Sequence, residues 1–282
     1  MEPNAASCDQ FDAAGLVGVV LAAGIGARLA PLSRLRPKAL CPVGNRALVD
    51  LALDRLMPLV GACAVNAHHQ AEQLCFHMEN QWGKSVKVSE ERSEALGTAG
   101  AIANLRDWID GRGVVVLNAD GWSPASIRPL LEGWDRDTLR VLISRSHEFG
   151  PKSQVVASTI PWWAVKQLEV RPTGLYEVLW KNALGSGDLE VIHQDGPFID
   201  CGTPQDYLEA NLFAATANGG TVVHPNAQVD NGVNVAGSVI GAGARIHSDV
   251  VDSVVWPDQI VDFGEELIRS IRAGTSVTVG PL

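Results

Sequence analysis

Apolar positions set the reading of the chain. Leu16-Val17-Gly18-Val19-Val20-Leu21 is a near-continuous apolar run, the pattern of a strand buried on both faces of a parallel sheet. From Leu48 to Leu59 apolar residues recur at helical spacing, and Pro58 predicts an end near Met57. A short strand is predicted near Ala62 to Asn66, a helix from Gln70 to about Gln81, and a strand at Val86-Lys87-Val88. Ala99 to Trp108 fits a helix, Val114 to Leu117 a buried strand, Ile127 to Trp134 a helix, and Arg140 to Ile143 a strand. Strands alternating with helices of this length predict a doubly wound α/β sheet. From Thr221 onward helical periodicity is lost. Val223, Val229 and Val235 are six apart, as are Ile240 and Ile246, with turn residues between them. That hexapeptide period predicts a parallel β-helix of two or three coils, its aliphatic residues pointing inward. Three segments follow: a disordered tail over 1–14, an α/β domain over 15–217, and the β-helix over 221–282. A stack this short needs its ends covered, so the tail is expected to pack on the α/β domain or on another subunit. Its expected role is assembly and stability rather than chemistry.

Composition narrows the function classes. The 282 residues are 46% hydrophobic and 19% charged, with a net charge of −10. This is a packed globular chain with no electrostatic case for nucleic acid or an anionic membrane surface. No apolar run reaches membrane-helix length, and the N-terminus lacks the order of a signal peptide. The five cysteines, Cys8, Cys41, Cys63, Cys75 and Cys201, form no knuckle or dithiol spacing, and read as reduced thiols of a cytoplasmic protein. His68-His69 reads as an ordinary loop pair rather than a metal site. Glu177 reads as a polar position on an amphipathic helix.

The first strand runs into Leu21-Ala22-Ala23-Gly24-Ile25-Gly26-Ala27-Arg28, and Lys38 follows ten residues later. Glycines let backbone N–H groups approach phosphate oxygens, and an Arg and a Lys neutralise polyphosphate charge. Leu29 stands where a dinucleotide fingerprint needs its third glycine, which disfavours a hydride-transfer cofactor. Asp120 and Asp200 each follow a short apolar stretch closely, where ligands of open α/β sheets bind, although an Asp there also serves as a turn cap.

The longer string LAAGIGARLAPLSRLRPKALCPV closely resembles the signature of the nucleotidyltransferases that make nucleoside-diphosphate sugars. The similarity continues through Glu94 to Gly100, Leu117-Asn118-Ala119-Asp120 and Phe198 to Pro204. Within that family the pattern looks most like mannose-1-phosphate guanylyltransferases and N-acetylmuramate-1-phosphate uridylyltransferases. The resemblance implies a Rossmann-like, doubly wound mixed sheet followed by a short left-handed β-helix. It implies a reaction between a nucleoside triphosphate and a sugar 1-phosphate, while the open ends of the β-helix point to a homo-oligomer. Asp120 and Asp200 would share one Mg²⁺, and Arg28 and Lys38 would act on the phosphates. The backbone of Leu21, Ala22, Ala23, Gly24 and Gly26 would cradle the triphosphate. Gly97 and Thr98 would lie against the base, and Asn118 would face the acceptor.

The chain departs from this family between Ile143 and Val155. Relatives carry a longer hairpin there, often ending in a Glu-Lys-Pro motif whose lysine contacts the sugar phosphate. No Glu-Lys-Pro occurs in this chain, so Lys152 or Arg145 would have to substitute. The shortened segment keeps open a cyclitol phosphate, a phosphonate or another small phosphorylated acceptor. A paralogue that binds nucleotide sugar without turnover is the alternative from a different class.

Overall fold

The computed structural model describes residues 13–144, 148–274 and 277–282. Strand β1 (Leu16–Leu21) lies near the middle of a seven-stranded sheet. After it come a short helix α1 (Leu32–Leu35), a small hairpin of β2 (Pro42–Val43) and β3 (Arg46–Ala47), and α2 (Leu48–Leu56). Then follow β4 (Ala62–Ala67), α3 (Ala71–Gln81), β5 (Val86–Glu90), α4 (Gly97–Asn104), α5 (Arg106–Ile109) and β6 (Gly113–Asn118). The far half holds β7 (Gly121–Trp122), β8 (Leu139–Ser144), β9 (Val155–Ile160), α6 (Trp162–Val165), α7 (Lys181–Ser186), β10 (Leu189–Gln194), β11 (Ile199–Asp200) and α8 (Pro204–Ala217).

The sheet order is β10-β8-β9-β6-β1-β4-β5. All neighbours are parallel except β9, which runs antiparallel to both β6 and β8. The apolar run of β1 divides by its period of two. Leu16 and Val20 enter a core with Leu53, Leu56, Leu74 and Met78 on one face, while Val17 and Val19 enter a core with Ile102, Leu105 and Ile109 on the other. Both faces are covered, so the sheet is doubly wound and mixed, as the resemblance implies.

The helix expected over Ile127 to Trp134 is instead a single 3-10 turn at Arg128–Leu130. Pro129 withholds an N–H, and Gly133 at φ 58° turns the chain out of the helical region, although Ile127, Leu130 and Leu131 are still buried. Glu177 lies on a π-helical turn, Tyr176–Trp180, rather than on a regular α-helix.

From Val222 the chain stacks in parallel coils. One face is Val222–Val223, Val239–Ile240, Val254–Val255 and Ile271–Arg272, with parallel pairing throughout. Two more faces of three short strands complete the stack, giving three coils and the start of a fourth among the described residues. Buried serines mark one corner: the Ser253 amide donates to Ser238 Oγ and the Ser270 amide to Ser253 Oγ, each at 3.0 Å. Val223 and Val229 register over the fully buried Ile240 and Ile246, yet both are exposed. They face inward, as their period predicts, but the first coil has no coil above it. The stack also packs on the α/β part. Val239, Val254, Trp256 and Ile271 share a core with Leu29, Leu32, Cys41, Leu48, Tyr207 and Leu208.

Candidate active site

The carboxyl ends of β1, β4 and β6 open on a cavity of about 280 Å³. Its wall includes Leu21 to Gly24, Lys38, Asn66, Ala95, Gly97, Thr98, Asn118 and Asp120. The loop after β1 is fixed by Asn66, whose Oδ1 accepts the Ala22 N–H at 2.6 Å. Asn66 Nδ2 donates to Glu91 Oε1 at 2.7 Å, and Glu91 Oε2 accepts the Leu96 N–H at 2.8 Å. One buried amide–carboxylate pair therefore ties the loop after β1 to the loop that leads into Gly97. A Cβ at Gly24 would meet no protein atom within 4 Å, so protein packing does not demand glycine there. Gly26 differs: its φ is 62°, and an added Cβ would come within 3.1 Å of Lys38 Cβ. It packs the loop on the lysine stem and is absent from the cavity wall.

Lys38 begins a 3-10 turn, Lys38–Leu40, and its side chain is only 9% exposed. Its Nζ donates to Asp120 Oδ2 at 2.7 Å and to Asp200 Oδ1 at 3.2 Å. The two aspartates are brought together by β7 and β11, where Asp200 pairs with Gly121 and the Cys201 N–H donates to the Asp120 carbonyl. Burial opposes charge on Lys38, but the two carboxylates outweigh it and hold its pKa above the ordinary lysine value. Arg28 Nη2 lies 3.4 Å from Asp200 Oδ2, with its side chain 72% exposed. Burial pushes the Cys41 thiol up to about 12, so it is a neutral thiol rather than a nucleophile.

A second cavity of about 170 Å³ adjoins the first, and Leu21, Thr98 and Asn118 line both. Its far wall is Ser153, Gly174, Tyr176, Glu177 and Trp180. Phe149, from the short segment before β9, packs its ring 6.0 Å from Tyr176 and 5.9 Å from Trp180. Lys152 is exposed and lines neither cavity, so it is not brought to the site. Arg145 lies outside the described residues. Thr98 Oγ1 accepts the Leu175 N–H at 2.8 Å, which joins α4 to the π turn.

The site thus gathers Leu21, Ala22, Ala23, Gly24, Lys38, Gly97, Thr98, Asn118 and Asp120 around one cavity, with Asp200 and Arg28 at the lysine. Sequence reasoning missed Asn66 and Glu91. Asn66 lies one residue before the end of β4, the strand beside β1, and nothing in its local sequence marks it. Among the described residues no three His, Cys, Asp or Glu side chains gather as a metal site, and no helix is long and apolar enough to cross a membrane.

Comparison with known proteins agrees with this geometry. Residues 17–145 match the nucleotidyl transferase family model. An N-acetylmuramate alpha-1-phosphate uridylyltransferase of Caulobacter vibrioides is 34% identical over 136 residues, which cover 45% of this chain and 56% of that protein, just over half its length. Mannose-1-phosphate guanylyltransferase 1 of Arabidopsis thaliana is 24% identical over 89% of this chain and 79% of its own. A Bacillus anthracis structure, provisionally named a glucose-1-phosphate thymidylyltransferase, shares the fold at a TM-score of 0.58 and 20% identity, covering 71% of this chain and 95% of that one. Over residues 17–145 the chain is similar to the nucleotidyl transferase family.

Proposed function

We propose that the protein joins a nucleoside triphosphate to a sugar 1-phosphate, releasing pyrophosphate, in an Mg²⁺-dependent reaction. The observation that carries this is the convergence of Lys38, Asp120 and Asp200 at the mouth of a cavity walled by the backbone of Leu21 to Gly24. The first cavity takes the triphosphate and the second takes the acceptor's sugar.

A phosphate monoester is already a nucleophile near neutral pH. Its oxygen attacks the α-phosphorus in line, the bond to the β-phosphate oxygen breaks, and pyrophosphate leaves. No Ser, Cys or His nucleophile is required. Catalysis is then positioning and charge neutralisation. Asp120 and Asp200 fit a hard cation: both carboxylates already hold one cationic atom, Lys38 Nζ, between them. Mg²⁺ is commonly held by one or two carboxylates, with phosphate oxygens and water completing its octahedron. When bound there it would supply charge neutralisation at the reacting phosphates. Lys38, which lines the same cavity as the loop after β1, would neutralise phosphate charge there, and the exposed Arg28 would hold the leaving pyrophosphate. Asn118 faces the acceptor.

The short Ser144–Gln154 segment favours a second reading, the same chemistry on a non-sugar phosphate, because Lys152 does not reach the cavity. A pyrophosphate-release screen of the four common triphosphates against sugar 1-phosphates, cyclitol phosphates and phosphonates decides between them. Turnover with a sugar 1-phosphate supports the first reading. Turnover only with the others supports the second, and silence from every pair would leave a binding protein. The same reading expects a cytoplasmic homo-oligomer, measurable by light scattering.

A further inference from the structure

The turn that carries Lys38 is gripped on both sides by one residue of the β-helix. On the N-terminal side, the Arg36 guanidinium lies over the Trp256 ring, 4.3 Å from its centroid. On the C-terminal side, the Tyr207 hydroxyl donates to the Pro42 carbonyl, and Trp256 Nε1 donates to that same hydroxyl at 2.9 Å. Trp256 and Tyr207 are both fully buried, with rings packed edge to face. Two further bonds hold the end of the segment. Asn211 Oδ1 accepts the Gly44 N–H at 3.1 Å, and Asn45 Nδ2 donates to the β-helix carbonyl of Ile240 at 2.8 Å.

A buried hydroxyl that both accepts and donates fixes the atoms on either side of it. Pro42 can offer no N–H, so its carbonyl is its only backbone handle. The grip spans residues 36 to 42, and Lys38 lies inside it with its ammonium committed to two carboxylates.

We infer that Trp256, acting through Tyr207 and Arg36, is a positioning residue for Lys38, so that the β-helix braces the phosphate-binding lysine as well as stabilising the chain. This rests on the nucleotidyl transfer reading for its kinetic arm only. On this inference the tail would serve positioning in addition to the assembly and stability expected of it.

Tyr207→Phe and Trp256→Phe in the full-length protein test it. Tyr207→Phe removes both hydrogen bonds of the hydroxyl, Trp256→Phe removes only the one from Nε1, and each keeps an aromatic ring. Hydrogen exchange followed by mass spectrometry needs no substrate, and should show faster exchange confined to residues 36–44 in both variants. In turnover, kcat should fall about tenfold with KM for both substrates nearly unchanged, the pattern of a mispositioned group. On a Lys38→Ala background the same substitutions should lower kcat by less than about twofold, because the residue they position is gone. Unchanged exchange over 36–44 would overturn the inference, as would a full tenfold loss repeated on the Lys38→Ala background. If Lys38→Ala itself leaves turnover intact, the reading of the active site fails instead, and the exchange measurement still decides the brace. Should Trp256→Phe not fold, Tyr207→Phe, which deletes one oxygen, carries the test.

Discussion

At the scale of single residues, the account rests on two carboxylates and one ammonium. Asp120→Asn exchanges a carboxylate for an amide of equal size, so the fold should persist while turnover falls by about a hundredfold or more. Steady-state kinetics at saturating Mg²⁺ check this, and a loss smaller than about tenfold would remove Asp120 from the metal site. Lys38→Ala should lower kcat/KM by at least about a hundredfold, the scale of a charged donor in a preorganised site. The raised pKa of Lys38 gives a sign to the pH dependence. On the alkaline side its charge, and the stability of its two ion pairs, are fully present below the ordinary lysine value. They are lost only as pH rises through the higher folded value. The stability of the metal-free protein, followed against pH, should therefore show no loss from Lys38 below about pH 10. The sequence made these residues visible one at a time. Lys38 and Asp120 are 82 positions apart and Lys38 and Asp200 162, and no local period reports that they meet. Only the resemblance joined them. Asn66 and Glu91 stayed hidden because an amide and a carboxylate that satisfy each other in a core read as ordinary loop polarity.

At the scale of elements, runs with a clean period were legible. The strand at Val114 to Leu117 and the helix from Leu48 stand where the apolar pattern put them. Where backbone chemistry overrides the period, the pattern misled. Ile127 to Trp134 has the apolar spacing of a helix, but Pro129 and Gly133 limit it to one turn. The turn into α4 shows the reverse case, a motif whose glycine has a structural cause. Gly97 has φ 68°, and a Cβ there would come 2.5 Å from the Thr173 carbonyl oxygen. Thr173 also accepts the Ala99 N–H, so that oxygen is held in place. Gly97→Ala should cost roughly 1–3 kcal/mol of stability through strain and displacement. It should also raise the KM for triphosphate, since Gly97 walls the first cavity. Thermal unfolding and nucleotide titration check both effects, and an unchanged Tm would contradict the close approach.

At the scale of the whole molecule, the hexapeptide period disclosed the β-helix but not where it docks. Docking depends on Trp256, Val239, Val254 and Ile271 meeting Leu29, Leu32 and Tyr207, a match of surfaces with no trace in either period. Removing residues 221–282 would uncover that apolar face and release Arg36 and Pro42. The truncated chain should melt well below the parent or aggregate, and any soluble fraction should lose kcat, which calorimetry and kinetics on the same sample would show. The central claim concerns which bond breaks. Triphosphate labelled separately at the α- and γ-phosphates, incubated with Mg²⁺ and the best acceptor from the screen, tests it most directly. The account predicts α-label in the nucleotide–acceptor product and γ-label in pyrophosphate, with both products lost in Asp120→Asn. Label from the γ-phosphate on the acceptor, or as free phosphate, would contradict it.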